Sequence, residues 1–241
     1  MGAAHGMTSS HQMNHSQSHD IHHMNPLNTK SIDTSFITLE DENLKLLNEQ
    51  LFPSGQKLKL LKSLKNESKK ANFFRGTLEI KISELELIKG YKTKCFTYNG
   101  LFPGPKIEVY EGDTVEILVK NHLPENTTVH WHGLPVPPKQ DGNPHDPIPA
   151  GQEKIYRFTL PKDCAGTYWY HPHSHFTSAK QVYMGLAGVF VVKSKKDALS
   201  HLREQDWMFS DLRLDEKAQI PHNSLKDWLN GREGEFVLIN G

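Results

Sequence analysis

Cysteine is nearly missing from this chain of 241 residues: Cys95 and Cys164 are the two present, with no Cys-x-x-Cys spacing. That excludes a zinc ribbon and a disulfide-dense scaffold. The two could pair in an oxidising compartment, but buried free thiols are the preferred reading. Long apolar runs are also lacking, and none approaches the ~18 residues of a membrane span. The N-terminus has no apolar h-region, so no signal peptide is visible; an exported protein would have lost its leader or be read from a late start. Net charge is absent as well, with 28 Lys and Arg against 28 Asp and Glu, and nothing draws the chain to nucleic acid or an anionic membrane. The basic run from Lys57 to Lys70 is broken by leucines and reads as a solvated connector.

What the chain does have is histidine. Residues 1–35 form a polar tail holding His5, His11, His15, His19, His22 and His23, interleaved with Met1, Met7, Met13 and Met24. Too few apolar residues occur there to offset the entropy of ordering, so disorder is expected. Short His-rich tracts suggest metal binding and thioether sulfur favours Cu(I), so copper capture stands beside the plainer reading of a low-complexity leader.

Residues 36–74 read as a linker with a short helix around Glu42 to Gln50 and a turn at Phe52–Gly55. From residue 75 the pattern is β. Thr77–Ile82 and Thr114–Val119 alternate apolar and polar positions, the period of half-buried strands. Further strands are expected at Lys106–Tyr110, Thr127–Trp131, Glu153–Leu160, Gly166–His171 and Gly188–Lys193, separated by turn-rich segments such as Tyr98–Pro105. Short strands at this spacing predict a β-sandwich or barrel. Beyond Lys195, Asp197–Glu204 is helix-compatible, a strand-like run begins at Asp206, and Phe236–Ile239 reads as a strand with no chain left to pair it. An unpaired apolar strand is unfavourable, which points to a chain stopping inside a second domain.

Two histidine pairs, His130-Trp131-His132 and His171-Pro172-His173, carry the functional signal. Residues i and i+2 of a strand share a face, so each pair aims two imidazoles one way, about 7 Å apart at the strand rise. Imidazole suits copper, zinc, iron and nickel. A cupin would need a glutamate where Pro135 and Val136 stand. An α-type carbonic anhydrase would have one pair and a distant third histidine. A blue-copper site needs a Cys-His-Met set that Cys164 does not begin.

The segments Thr128–Pro137, Asp141-Gly142, Gly166–His175 and Gln181–Gly188 closely resemble the first cupredoxin domain of multicopper oxidases. Tyr98–Pro105 and Glu111–Val115 fit the same domain. The His-Pro-His-Ser-His and Met-Gly-Leu-Ala-Gly forms resemble the bacterial periplasmic cuprous oxidases and laccase-like enzymes. The resemblance spans about residues 75–195. It implies an all-β, cupredoxin-like Greek-key sandwich or barrel at 75–195, the disordered tail before it, and an incomplete second cupredoxin domain at 204–241. It also implies that His130 binds a type 2 copper, and that His132, His171 and His173 bind a type 3 pair. Asp141 would serve proton delivery during O2 reduction, unless it is an ordinary Asp-Gly turn residue. His175 and Gln181 would orient the ligands rather than bind metal.

On that resemblance the expected activity is one-electron oxidation of Cu(I) or phenolic or other metal donors, coupled to four-electron reduction of O2 to water. The family cluster takes eight histidines, so this chain supplies half. The other four, with the type 1 copper, would come from a missing C-terminal domain, and the chain alone is expected to be inactive. A periplasmic or secreted place and a part in copper homeostasis follow from the same resemblance. A non-catalytic copper-binding or storage protein remains open, and a zinc hydrolase or hydratase is a more distant alternative.

Overall fold

The computed structural model describes residues 44–53 and 55–241; the tail at 1–35 and the start of the expected helix lie outside them. The fold is mostly β. One four-stranded sheet has the order β2 (Thr93–Tyr98), β1 (Phe73–Leu85), β4 (Thr114–Asn121), β6 (Glu153–Thr159). A second has the order β3 (Ile107–Tyr110), β8 (Gly188–Lys193), β7 (Gly166–His171), β5 (His130–His132). Pairing is antiparallel except for β1 with β4 and β3 with β8.

The alternation read in the sequence is the alternation buried. Leu78 and Ile80 of β1, Val115, Ile117 and Val119 of β4, and Tyr156 and Phe158 of β6 meet Trp131, Tyr170 and Phe190 of the other sheet in one core. Tyr170 is fully buried, and its hydroxyl donates to the Pro105 carbonyl at 2.6 Å, which meets the requirement that a buried polar group find a partner. Cys95 and Cys164 are both free and buried. Burial pushes the Cys95 thiol up to about 12 and also raises Cys164.

Several expectations change. β5 is confined to His130–His132, and Thr127 contributes only an isolated bridge to Ile148. β2 was not among the expected strands and ends where the turn-rich segment Tyr98–Pro105 begins. Over the described part of the expected helix, Leu46 bridges Asp215 and a 3-10 turn occupies Glu49–Leu51. The Leu47 N–H donates to the Leu214 carbonyl at 2.9 Å, so a distant segment claims backbone groups that a local helix would have used. Asp197–Glu204 forms turns, and the short helices are α1 (Ser178–Tyr183) and α2 (Leu225–Asn230). The basic connector is less solvated than expected, because Leu64 packs on the main core and Ser63 bridges Lys106.

The terminal strand is not unpaired. β10 (Phe236–Ile239) pairs antiparallel with β9 (Phe209–Leu212). Leu212 and Leu214 join Leu47, Ile88 and Ala218 in a second, smaller core, with Leu238 packed against it. One premise for a chain ending inside a domain therefore fails. The outward face of the hairpin does remain apolar and exposed at Phe209, Val237 and Ile239.

Candidate metal centre

β5 and β7 lie side by side, with His130 opposite His171, Trp131 opposite Tyr170 and His132 opposite Trp169. Period-2 geometry sends Trp131 and Tyr170 into the core and the histidines to the other face. The candidate ligand nitrogens of His130, His132 and His171 all lie within 4.8 Å of one another. His173, just past the end of β7, brings its ring to 5.2 Å from that of His130 and 6.0 Å from that of His171. The four expected histidines are thus together, with His171 buried, His130 half-buried and the other two exposed.

Each buried contact directs a ring nitrogen. His130 Nδ1 lies 2.9 Å from the Asp141 main-chain carbonyl, a partner that accepts an N–H and leaves Nε2 free as a ligand. Asp141 Oδ1 is 3.1 Å from the same nitrogen, yet it is buried and finds no hydrogen bond of its own. The carbonyl is therefore the acceptor, and the carboxylate oxygen stands beside the ring as an unused proton acceptor. His171 Nδ1 is 2.7 Å from the Pro172 carbonyl, which points Nε2 to within 3.1 Å of His132 Nδ1. Two imidazole nitrogens that close fit around a shared or neighbouring cation.

Electrostatics favour the ligand form. Burial pulls the His171 imidazole from its ordinary 6.5 down to about 4. The Pro172 carbonyl opposes that shift, and the facing imidazoles of His130, His132 and His173 add to it. A metal ligand must be neutral imidazole, and His171 is held neutral at ordinary pH.

The sequence reading gave no role to three supports. The Thr128 hydroxyl accepts the His173 N–H at 2.7 Å. Trp169 stacks on His171 at 4.0 Å and on His132 at 4.9 Å. The Gln140 carbonyl accepts the Trp131 indole N–H at 3.0 Å, which ties the 138–141 turn to β5. Thr128 did carry a signal: it lies two residues before His130, on the same face of an alternating segment. Gln181 is fully buried and accepts from the Thr127 hydroxyl at 2.8 Å while donating to Glu125 and Asn126. It therefore braces the chain leading to Thr128. His175 turns to His145 instead, 5.1 Å away ring to ring, so the expectation that it orients the ligands finds no contact to support it.

Comparison with known proteins follows the same lines. Residues 79–197 match the family model described as multicopper oxidase. The chain is 39% identical over 181 residues to the multicopper oxidase mco of Staphylococcus haemolyticus, covering 73% of this chain and 40% of that protein. It is 34% identical to the copper resistance protein A homolog of Pseudomonas syringae pv. tomato, over 66% of this chain and 28% of that one. The solved multicopper oxidase from Campylobacter jejuni, described as a metallo-oxidase, superposes with a TM-score of 0.83 at 70% identity. That match covers 86% of this chain and 44% of that one. The chain thus spans two fifths or less of the length of the two curated relatives.

Proposed function

The chain belongs to the multicopper oxidase family and has a cupredoxin-like fold, and from that premise we propose that it supplies half of a trinuclear copper site. In this reading His130 is the type 2 ligand, and His132, His171 and His173 are type 3 ligands. The observation that carries it is the convergence of the His130, His132 and His171 nitrogens within 4.8 Å. The donor set fits copper: all-imidazole, neutral at His171, with His130 and His171 each holding one ring nitrogen on a main-chain carbonyl. Copper bound there supplies one-electron steps that together reduce O2 to water.

The chain's own residues orient and handle protons. The Asp141 and Pro172 carbonyls fix the tautomers of His130 and His171, as the outer partners of metal-bound histidines do. The Asp141 carboxylate, with Oδ1 buried and free of hydrogen bonds, is placed to take and give protons beside His130. Trp169 packs against the His132 and His171 rings and limits their rotation. The exposed edges of His132 and His173 leave room for ligands from elsewhere.

The complete enzyme oxidises Cu(I) or a phenolic donor, with O2 as the acceptor, in a periplasmic or secreted setting and in the service of copper homeostasis. The copper resistance named for one relative supports the part in copper homeostasis. Among the described residues no helix is long and apolar enough to cross a membrane. Residues 204–241 are the opening of a second cupredoxin domain, and a further domain carries the type 1 copper and the remaining histidines.

Copper loading tests the site. The chain should bind copper through nitrogen, read as nitrogen hyperfine structure in the Cu(II) resonance, and His171→Asn should remove most of it. Equal loading in that variant would count against the assignment. Deleting residues 1–30 from the complete enzyme should lower copper tolerance in cells; unchanged tolerance would remove the tail from the account.

A further inference from the structure

Two histidines outside the cluster meet where two loops converge. His145, in the segment between β5 and β6, and His175, four residues past β7, hold their rings 5.1 Å apart at 77°. Both are exposed. Among the described residues neither ring makes a hydrogen bond or ion pair; they contact each other, and His175 also contacts Phe176. In water such a contact gains little, and protonating both rings would make it repulsive.

The backbone nevertheless builds the pair. Pro144 and Pro147 flank His145 and its neighbour Asp146, and proline fixes φ. The Asp146 N–H donates to the Asn143 carbonyl at 3.0 Å, and the Asp146 carboxylate pairs with Lys154 at 2.5 Å. On the other loop the Ser178 N–H and hydroxyl donate to the Ser174 and Pro172 carbonyls. Phe176, beside His175, has φ of 64°, a left-handed conformation that bulky residues avoid. Strain of this kind clusters at ligand sites, where surrounding structure enforces it.

We propose that His145 and His175 form a second metal site, which takes a soft monovalent cation, Cu(I), between the two imidazoles. Imidazole suits copper, and a d10 monovalent ion is content with two ligands in line, whereas zinc takes four. Asp146, next to His145 in sequence, has one carboxylate oxygen on Lys154, so the two facing imidazoles are the donors the site offers, and nitrogen donors suit copper better than the harder cations. His175 is two residues from His173, and His145 four from Asp141, so the site holds incoming Cu(I) on the loops that carry the cluster residues. The inference goes beyond the trinuclear assignment and does not require it.

The test titrates the 241-residue chain with Ag(I), a redox-inert stand-in for Cu(I), and follows imidazole nitrogens by long-range proton–nitrogen correlation. One ring nitrogen of His145 and one of His175 should shift together, at the same Ag(I) concentration. His145→Asn should abolish the His175 shift and His175→Asn the His145 shift, with amide spectra unchanged away from the loops. His130→Asn and His132→Asn should leave both shifts in place. Saturation elsewhere with both rings unmoved, or a His175 shift that survives His145→Asn, overturns the proposal. Paired shifts in a chain whose cluster takes no copper would instead sink the trinuclear reading alone.

Discussion

His171 is the residue whose protonation the fold controls most directly. Folded, it titrates near 4 because it is buried; unfolded, it titrates near about 6.5. The unfolded chain therefore binds more protons between those values. The His171 contribution to the stability of the metal-free chain is fully present above about pH 6.5 and is lost as pH falls toward the folded value. Urea unfolding across that window should show the decline, and His171→Asn should flatten it; an equally steep decline in the variant would contradict the assignment. Asp141 gives a second residue-scale prediction. Its main-chain carbonyl, not its carboxylate, accepts from His130, so Asp141→Asn should leave copper content unchanged. Oxygen turnover by the complete enzyme should nonetheless fall by about 10²-fold or more, the ordinary worth of a positioned proton donor or acceptor. Copper lost in step with activity would mean that the carboxylate only holds the ligand.

At the scale of elements, the turn at 138–142 and the strand it touches act together. Gly142 has φ of 65°, and a Cβ there would overlap the Val129 carbonyl, just before His130. Gly142→Ala should therefore destabilise the chain by roughly 1–3 kcal/mol, as overpacking does, and lower copper loading with it; thermal unfolding and metal content check both. Thr128→Val removes the half-buried acceptor of the His173 N–H and should cost about 0.5–1.5 kcal/mol, the net worth of an ordinary hydrogen bond. The strands that build this region were legible locally: β4 from its own alternation, and β6, β7 and β8 as strand-like runs bounded by turn residues. What failed was long-range. Leu46 and Leu47 look helical in isolation, but their backbone partners are Asp215 and Leu214, far along the chain. β10 looked orphaned because its partner β9 is separated from it by α2, and no local pattern announces that pairing. The four histidines were legible from their paired spacing, and Asp141 only through the family resemblance. The Thr128 and Trp169 contacts depend on sheet register, and the His145–His175 pair on the meeting of two loops, neither of which a one-dimensional pattern contains.

At the scale of the whole molecule, the chain carries four clustered histidines and, among the described residues, no thiolate suited to electron entry. Cys95 and Cys164 are buried free thiols, both with raised pKa. The purified 241-residue chain should therefore bind copper and yet consume no O2 with Cu(I) or a phenol as donor; turnover at oxidase rates, followed with an oxygen electrode, would contradict the half-site account. The most direct test of the central claim is copper-edge anomalous scattering from crystals of the copper-loaded chain. The account predicts copper at metal–ligand distance from His130 and from the facing nitrogens of His132, His171 and His173. Copper bound elsewhere, with those four imidazoles bare, would contradict it.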